Sequence, residues 1–133
     1  MNKAVFLESS ALLRYVFSQP GAAEVDARLD SANRVIGSRL LRIECERAVL
    51  RYMADRPGST KRFPELNRTL REVWPLVDFW DISEDICELA GRIAPHAHLR
   101  SLDAIHLATW QRAREHHPHL EFLTFDDRLR ALV

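Results

Sequence analysis

No surplus charge of either sign marks this chain: 19 basic and 19 acidic side chains cancel. That excludes a chain-wide electrostatic attraction for nucleic acid. Any such surface must be a local patch, with acidic charge segregated elsewhere. Cysteine is scarce. Cys45 and Cys87 have neither CxxC nor zinc-ligand spacing, which argues against a disulfide framework or structural zinc. Both fall in the apolar stripes of expected helices, where a free thiol packs as a small hydrophobe. The expected compartment is reducing and cytoplasmic. Long apolar runs are missing: no stretch approaches the roughly 20 residues of a membrane span. Glu8 interrupts the short apolar run in MNKAVFLESSALL, which makes a poor signal peptide. Repeats, low-complexity segments and linkers are missing too. What remains is an ordinary globular composition, 47% apolar and 29% charged over 133 residues, too apolar for disorder. A single domain over 1–133 is expected, long enough to bury a real core.

Short apolar strands alternate with helices. Ala4 to Leu7 reads as a buried strand, followed by Glu8-Ser9-Ser10 and a helix over Ala11 to Ser18, stopped before Pro20. A second helix covers Ala22 to Ala32. Val35 and Ile36 form a strand, and Gly37-Ser38 leads into a long helix from Arg39 to about Ala54. Residues 55–59 break it. An amphipathic helix over Arg62–Trp74, a strand over Val77–Ile82 and a Ser83-capped helix to about Ile93 follow. The remainder is a loop over Pro95–Leu99, a Ser101-capped helix from Leu102 to about His116, a strand over Glu121–Thr124 and helical turns from Asp126 to Leu132. This alternation predicts an α/β domain of three layers, α/β/α, around a mainly parallel sheet of four or five strands. Sheets of that kind place ligand sites beyond the carboxyl ends of their strands.

Four acids occupy unusual places. Glu8 directly follows the first strand; its ordinary reading is a solvated strand end. Glu44 points with the apolar stripe of Leu41, Cys45 and Ala48. Buried carboxylates are rare unless paired or metal-bound, and Arg47 or Arg51 is within helical pairing distance. Asp103 lies in a first helical turn, where acids are favoured anyway. Asp126 and Asp127 follow the last strand, where capping is an equally ordinary role. Taken together they say more. Parallel strands would bring Glu8 and Asp126 to one end of the sheet, and helices could bring Glu44 and Asp103 there. Clustered carboxylates repel. A divalent cation relieves that repulsion, and all-oxygen ligands suit Mg2+ or Mn2+.

These segments resemble a known family. VFLESSALLRYV, GSRLLRIECERAVLR, LRSLDAIHLATW and FLTFDDRLRALV look like the four motifs of PIN domains, in order and over nearly the whole chain. The third is the most specific of them, and size and motifs are most similar to VapC-type toxins. The resemblance implies Mg2+- or Mn2+-dependent endonucleolytic cleavage of RNA, a cognate VapB-like antitoxin and a homodimer. It implies Glu8, Glu44, Asp103 and Asp126 as metal-binding acids, with Ser9 and Thr124 in support and Asp127 as a lesser stand-in for Asp126. One departure is plain: the family's first acid is normally Asp, and Glu8 holds that place. The added methylene moves the carboxylate by about 1.5 Å, and Mg2+ demands near-ideal octahedral geometry. Three consequences remain open: an active site re-formed around Glu, a weakened homologue acting as an RNA- or antitoxin-binding module, or a deliberate substitution that permits expression of a toxic protein.

Other features read as ordinary. His96, His98, His116, His117 and His119 lie in loops or at helix ends without a third ligand at structural spacing. His106, one turn from Asp103, reads as packed in the core or behind the acids rather than as a general base. Arg14 and Arg100 are the candidate grips on an RNA backbone. Trp74, Trp80 and Trp110 read as core or interface anchors.

Overall fold

The computed structural model describes residues 3–133. Strand β1 (Ala4–Leu7) is buried along its whole length, as a continuous apolar run covered on both faces must be. It pairs in parallel with β2 (Arg34–Ser38) on one side and β4 (Glu121–Leu123) on the other, with Phe6 opposite Ile36 and Phe122. Strand β3 (Val77–Trp80) adds beyond β2, giving the order β3-β2-β1-β4. All pairings are parallel. Of the four or five strands expected in a mainly parallel sheet, the described residues form four, all parallel, within the expected three-layer arrangement.

Alternate residues of β1 feed opposite layers. Val5 and Leu7 pack with Leu12 of α1 (Ser9–Val16), Val25 of α2 (Ala22–Ser31), Leu41 and Cys45 of α3 (Arg39–Asp55), and Leu66 and Leu70 of α4 (Phe63–Val73). Ala4 and Phe6 pack with Leu107 and Trp110 of α6 (Ser101–Ala113) and Leu129 of α7 (Asp127–Arg130). Helix α5 (Glu84–Ala90) sends Ile86 and Leu89 against Ala108. The Trp110 indole is buried and donates to the Leu120 carbonyl at 3.1 Å, which makes it the core anchor expected of it. Cys45 is buried, but Cys87 is exposed; α5 turns its Ile86–Leu89 stripe inward and leaves that thiol outside.

Several boundaries differ from the sequence expectation for identifiable reasons. Helix α1 begins at Ser9, because Glu8 itself is the cap: its carboxylate accepts from the Ser10 amide at 3.0 Å. Ser38 and Ser83 cap α3 and α5 as expected. Ser101 does not cap α6; it lies inside the helix, whose cap position is Arg100 without a side-chain bond. Strand β3 stops at Trp80, where β2 ends opposite it at Ser38. Among the described residues no helix is long and apolar enough to cross a membrane.

Candidate active site

The order of strands explains where the acids collect. The chain goes from β1 to β2 and β3 on one side and returns to β4 on the other, so the order reverses at β1. A parallel sheet opens a crevice beyond its carboxyl ends at such a point. Glu8 follows β1 there, and Thr124 and Asp126 follow β4. The Glu8 amide donates to the Leu123 carbonyl at 3.1 Å, which fixes the two strand ends side by side.

Glu8 is only 5% exposed. One carboxylate oxygen accepts from the Thr124 hydroxyl at 2.6 Å and from the Ser10 hydroxyl, and the other from the Ser10 amide. The Ser10 hydroxyl in turn accepts from the Phe125 amide at 2.8 Å, and Thr124 accepts from the Asp126 amide at 3.0 Å. The two loops beyond β1 and β4 are thus laced together around Glu8. Asp126 caps α7, its Oδ1 accepting from the Arg128 and Leu129 amides. The capping role and the cluster role are compatible, since only one oxygen is used. Asp127 is exposed in the first turn of α7.

Glu44 reaches the same region from α3. It pairs with neither Arg47 nor Arg51. Its Oε1 accepts from the Ser9 hydroxyl at 2.5 Å and meets His106 Nε2 at 2.5 Å. Burial would push the Glu44 carboxyl up, but the bond and electrostatic pull of His106, joined by Ser9, hold it below the usual carboxyl range. Asp103, from α6, behaves oppositely. Burial, then the charges of Asp126 and Glu8, push its carboxyl up, against the pull of Arg100 and His106. The Cys45 thiol is also pushed up, by burial and then by the charges of Glu44 and Glu8, so it is an inert packed thiol. Asp103 thus feels Asp126 and Glu8 directly, and Glu44 joins the same end of the sheet through its contacts with Ser9, beside Glu8, and His106, one turn from Asp103.

With the side chains as they stand, no three His, Cys, Asp or Glu residues among those described are disposed as ligands around one point. The reason is visible in the hydrogen bonds: Glu8 is turned to Ser10 and Thr124, Glu44 to Ser9 and His106, and Asp126 to α7. The chemistry of the donor set still fits a hard divalent cation. The donors are carboxylate oxygens, and beyond burial the charges of Asp126 and Glu8 push Asp103 up, a repulsion that a cation would relieve. A cavity of about 480 Å3 lies at the other, amino end of the strands, between Lys3, Arg28, His119 and Glu121. It contains none of the four acids, so the candidate site is argued from the charge pattern and not from cavity size.

Of the two arginines singled out, Arg100 is exposed and acts electrostatically on Asp103. Arg14 is half-buried, donates to the Pro20 carbonyl at 3.2 Å and stands over the Phe125 ring. Sequence reasoning missed Arg130, which donates to the Thr124 carbonyl at 2.7 Å and also faces Phe125. It also missed Ser10 as a partner of Glu8, and the pairing of His106 with Glu44. His106 is fully buried behind the acids, one of the roles its spacing from Asp103 allowed. His96, His98, His116 and His119 are exposed.

Comparison with known proteins agrees with this architecture. The family model described as PIN domain matches residues 5–133. Ribonuclease VapC47 of Mycobacterium tuberculosis is 33% identical over 129 residues, covering 94% of this chain and 86% of its own. Ribonuclease VapC46 of the same species is 32% identical, covering 96% and 88%. Among solved structures, a toxin-antitoxin complex from Klebsiella pneumoniae superposes with a TM-score of 0.61 at 25% identity, covering 91% of this chain and 84% of that one. VapBC2 from Rickettsia felis, bound to a DNA fragment from its promoter, has a TM-score of 0.59 at 11% identity over 92% and 99% of the two chains, and so shares the fold. Matched over nearly its whole length, the chain belongs to the PIN domain family, as a VapC-type member.

Proposed function

We propose that this chain is a divalent-cation-dependent endoribonuclease, the toxin of a VapBC-type pair. The observation that carries the reading is the gathering of acids from four separate segments towards the switch point of the sheet, where burial, then the charges of Asp126 and Glu8, push the Asp103 carboxyl up. The relatives named ribonucleases and the neighbour described as a toxin-antitoxin complex support the substrate class and a VapB-like antitoxin as partner. Homodimerisation and a cytoplasmic location belong to the same reading.

In this proposal Glu8, Glu44, Asp103 and Asp126 would hold Mg2+ or Mn2+. Such an ion supplies activation of water and stabilisation of the leaving oxygen in phosphodiester hydrolysis. The chain's own contribution is positional. Ser10 and Thr124 hold Glu8, Ser9 and His106 hold Glu44, and α7 fixes Asp126. Asp127 stands next to Asp126 as a lesser alternative. Arg100, beside Asp103, and Arg14 are the side chains available to an RNA phosphate.

A second reading has an observation behind it. Glu8, where the resemblance to the family implies Asp, has both oxygens engaged by Ser10 and Thr124. A PIN fold whose first acid stays so engaged would bind RNA or an antitoxin without cutting. One experiment separates the two. Purified protein is incubated with a panel of structured RNAs and Mg2+ or Mn2+, beside Asp103→Asn. The nuclease reading predicts cation-dependent cleavage by the wild type, reduced at least 100-fold in the variant. No cleavage with any divalent ion, alongside intact RNA binding, would establish the second reading.

A further inference from the structure

His106 is 0% exposed, yet its Nδ1 has no hydrogen-bond partner among the described residues. An orphaned polar atom in a core costs stability, about 1–3 kcal/mol for a typical group. An apolar side chain would fill the same space without that cost. Among the described residues the imidazole makes one polar contact, Nε2 to Glu44 Oε1 at 2.5 Å. The same oxygen takes the Ser9 hydroxyl at 2.5 Å. Among the described residues, the other Glu44 oxygen accepts no hydrogen bond. The two donors come from different elements, α1 and α6, so the carboxylate is gripped from two sides. Helix α6 also carries Asp103 one turn earlier, so one rigid element sets both acids relative to each other.

We propose that His106 is a positioning residue for the reaction: with Ser9 it occupies Glu44 Oε1 and presents Oε2 to the carboxylate cluster. The inference rests on the metal-dependent reading above and deepens it. The arrangement requires a proton on Nε2, which donates to the carboxylate; Nδ1 takes no part in it. Donors behind a ligating carboxylate fix its rotamer, and their removal commonly weakens metal binding 10- to 100-fold.

The test is Mn2+ binding by calorimetry on the full chain, with folding checked by circular dichroism. His106→Leu keeps the bulk and removes the donor; it should weaken Mn2+ by roughly 10- to 100-fold while the fold and melting temperature survive. His106→Gln, which can still donate, should recover part of the affinity. The loss should vanish in a Glu44→Gln background, which a merely structural role would not produce. If His106→Leu fails to fold, Ser9→Ala removes the other donor to the same oxygen and should weaken Mn2+ several-fold, again only when Glu44 is present. Unchanged affinity in the folded variants, or an equal loss without Glu44, overturns the positioning role alone. A wild type that binds no Mn2+ overturns the metal reading, and this inference with it.

Discussion

The Glu8 carboxylate caps α1 through the Ser10 amide and takes two hydroxyl donors, Ser10 and Thr124. Asp ranks among the best capping residues, so Glu8→Asp should fold. We expect it to preserve or raise the initial rate of RNA cleavage; a large loss would show that the site is tuned to the longer side chain. Glu44 offers a separate handle, in stability. Its carboxyl sits below the ordinary value of 4.5 in the folded chain. A lowered carboxyl contributes stability that is present above the unfolded value and is lost as pH falls through the folded one. The urea midpoint of the wild type should therefore drop on acidification below about pH 4.5 more steeply than that of Glu44→Gln. Equal slopes would mean that the His106 and Ser9 contacts do not stabilise ionised Glu44. These contacts were not legible in the sequence. Helical spacing favoured Arg47 and Arg51 as partners, but both lie on the exposed side of α3, whereas Glu44 turns inward, where Ser9 and His106 stand 35 and 62 residues away in the chain.

The loop between β4 and α7 is the element on which the site leans most. It supplies Thr124 and Asp126, and between them Phe125 lies against the turn that enters α2. Gly21, in that turn, has φ of +97°, and an added Cβ would come within 2.5 Å of Phe125 Cζ. Gly21→Ala should therefore cost more stability than Gly58→Ala, whose φ is +101° but whose Cβ would meet nothing within 4 Å. Backbone strain of this kind costs about 1–3 kcal/mol. The ring must also move in Gly21→Ala, so that variant alone should lose cleavage activity. Equal denaturation midpoints for the two variants would contradict the role given to Phe125. Elements of this sheet were readable because their apolar runs are continuous and bounded: β1, β2 and the caps Ser38 and Ser83 stand where patterning put them. Ser101 misled because a serine before an apolar run looks like a cap whether or not its hydroxyl is used. The ordinary reading of Glu8 was a solvated strand end, whereas its carboxylate is buried and accepts from the Ser10 amide in the first turn of α1.

Charge sums to zero over the chain. Arg34–Asp78, Arg39–Asp81 and Arg112–Asp85 neutralise one another on exposed surface, where such pairs contribute little to stability. The acids at the carboxyl end of β1 and β4 are different: hydroxyls hold Glu8, a hydroxyl and a buried imidazole hold Glu44, and Asp103 stands under the charges of Asp126 and Glu8, with Arg100 as the one opposing guanidinium. That difference, more than any cavity, singles out this end of the sheet as the candidate site. Sequence order and the rule for parallel sheets were enough to expect Glu8 and Asp126 there. The approach of Glu44 and Asp103 depended on how α3 and α6 pack on opposite faces, which spacing along a chain does not encode. The most direct measurement is anomalous diffraction from crystals of the wild-type chain soaked in Mn2+. A manganese peak bounded by Glu8, Glu44, Asp103 and Asp126 is the predicted result. A peak at the His116–His119 surface instead, or no peak among the four acids at saturating Mn2+, would contradict the account.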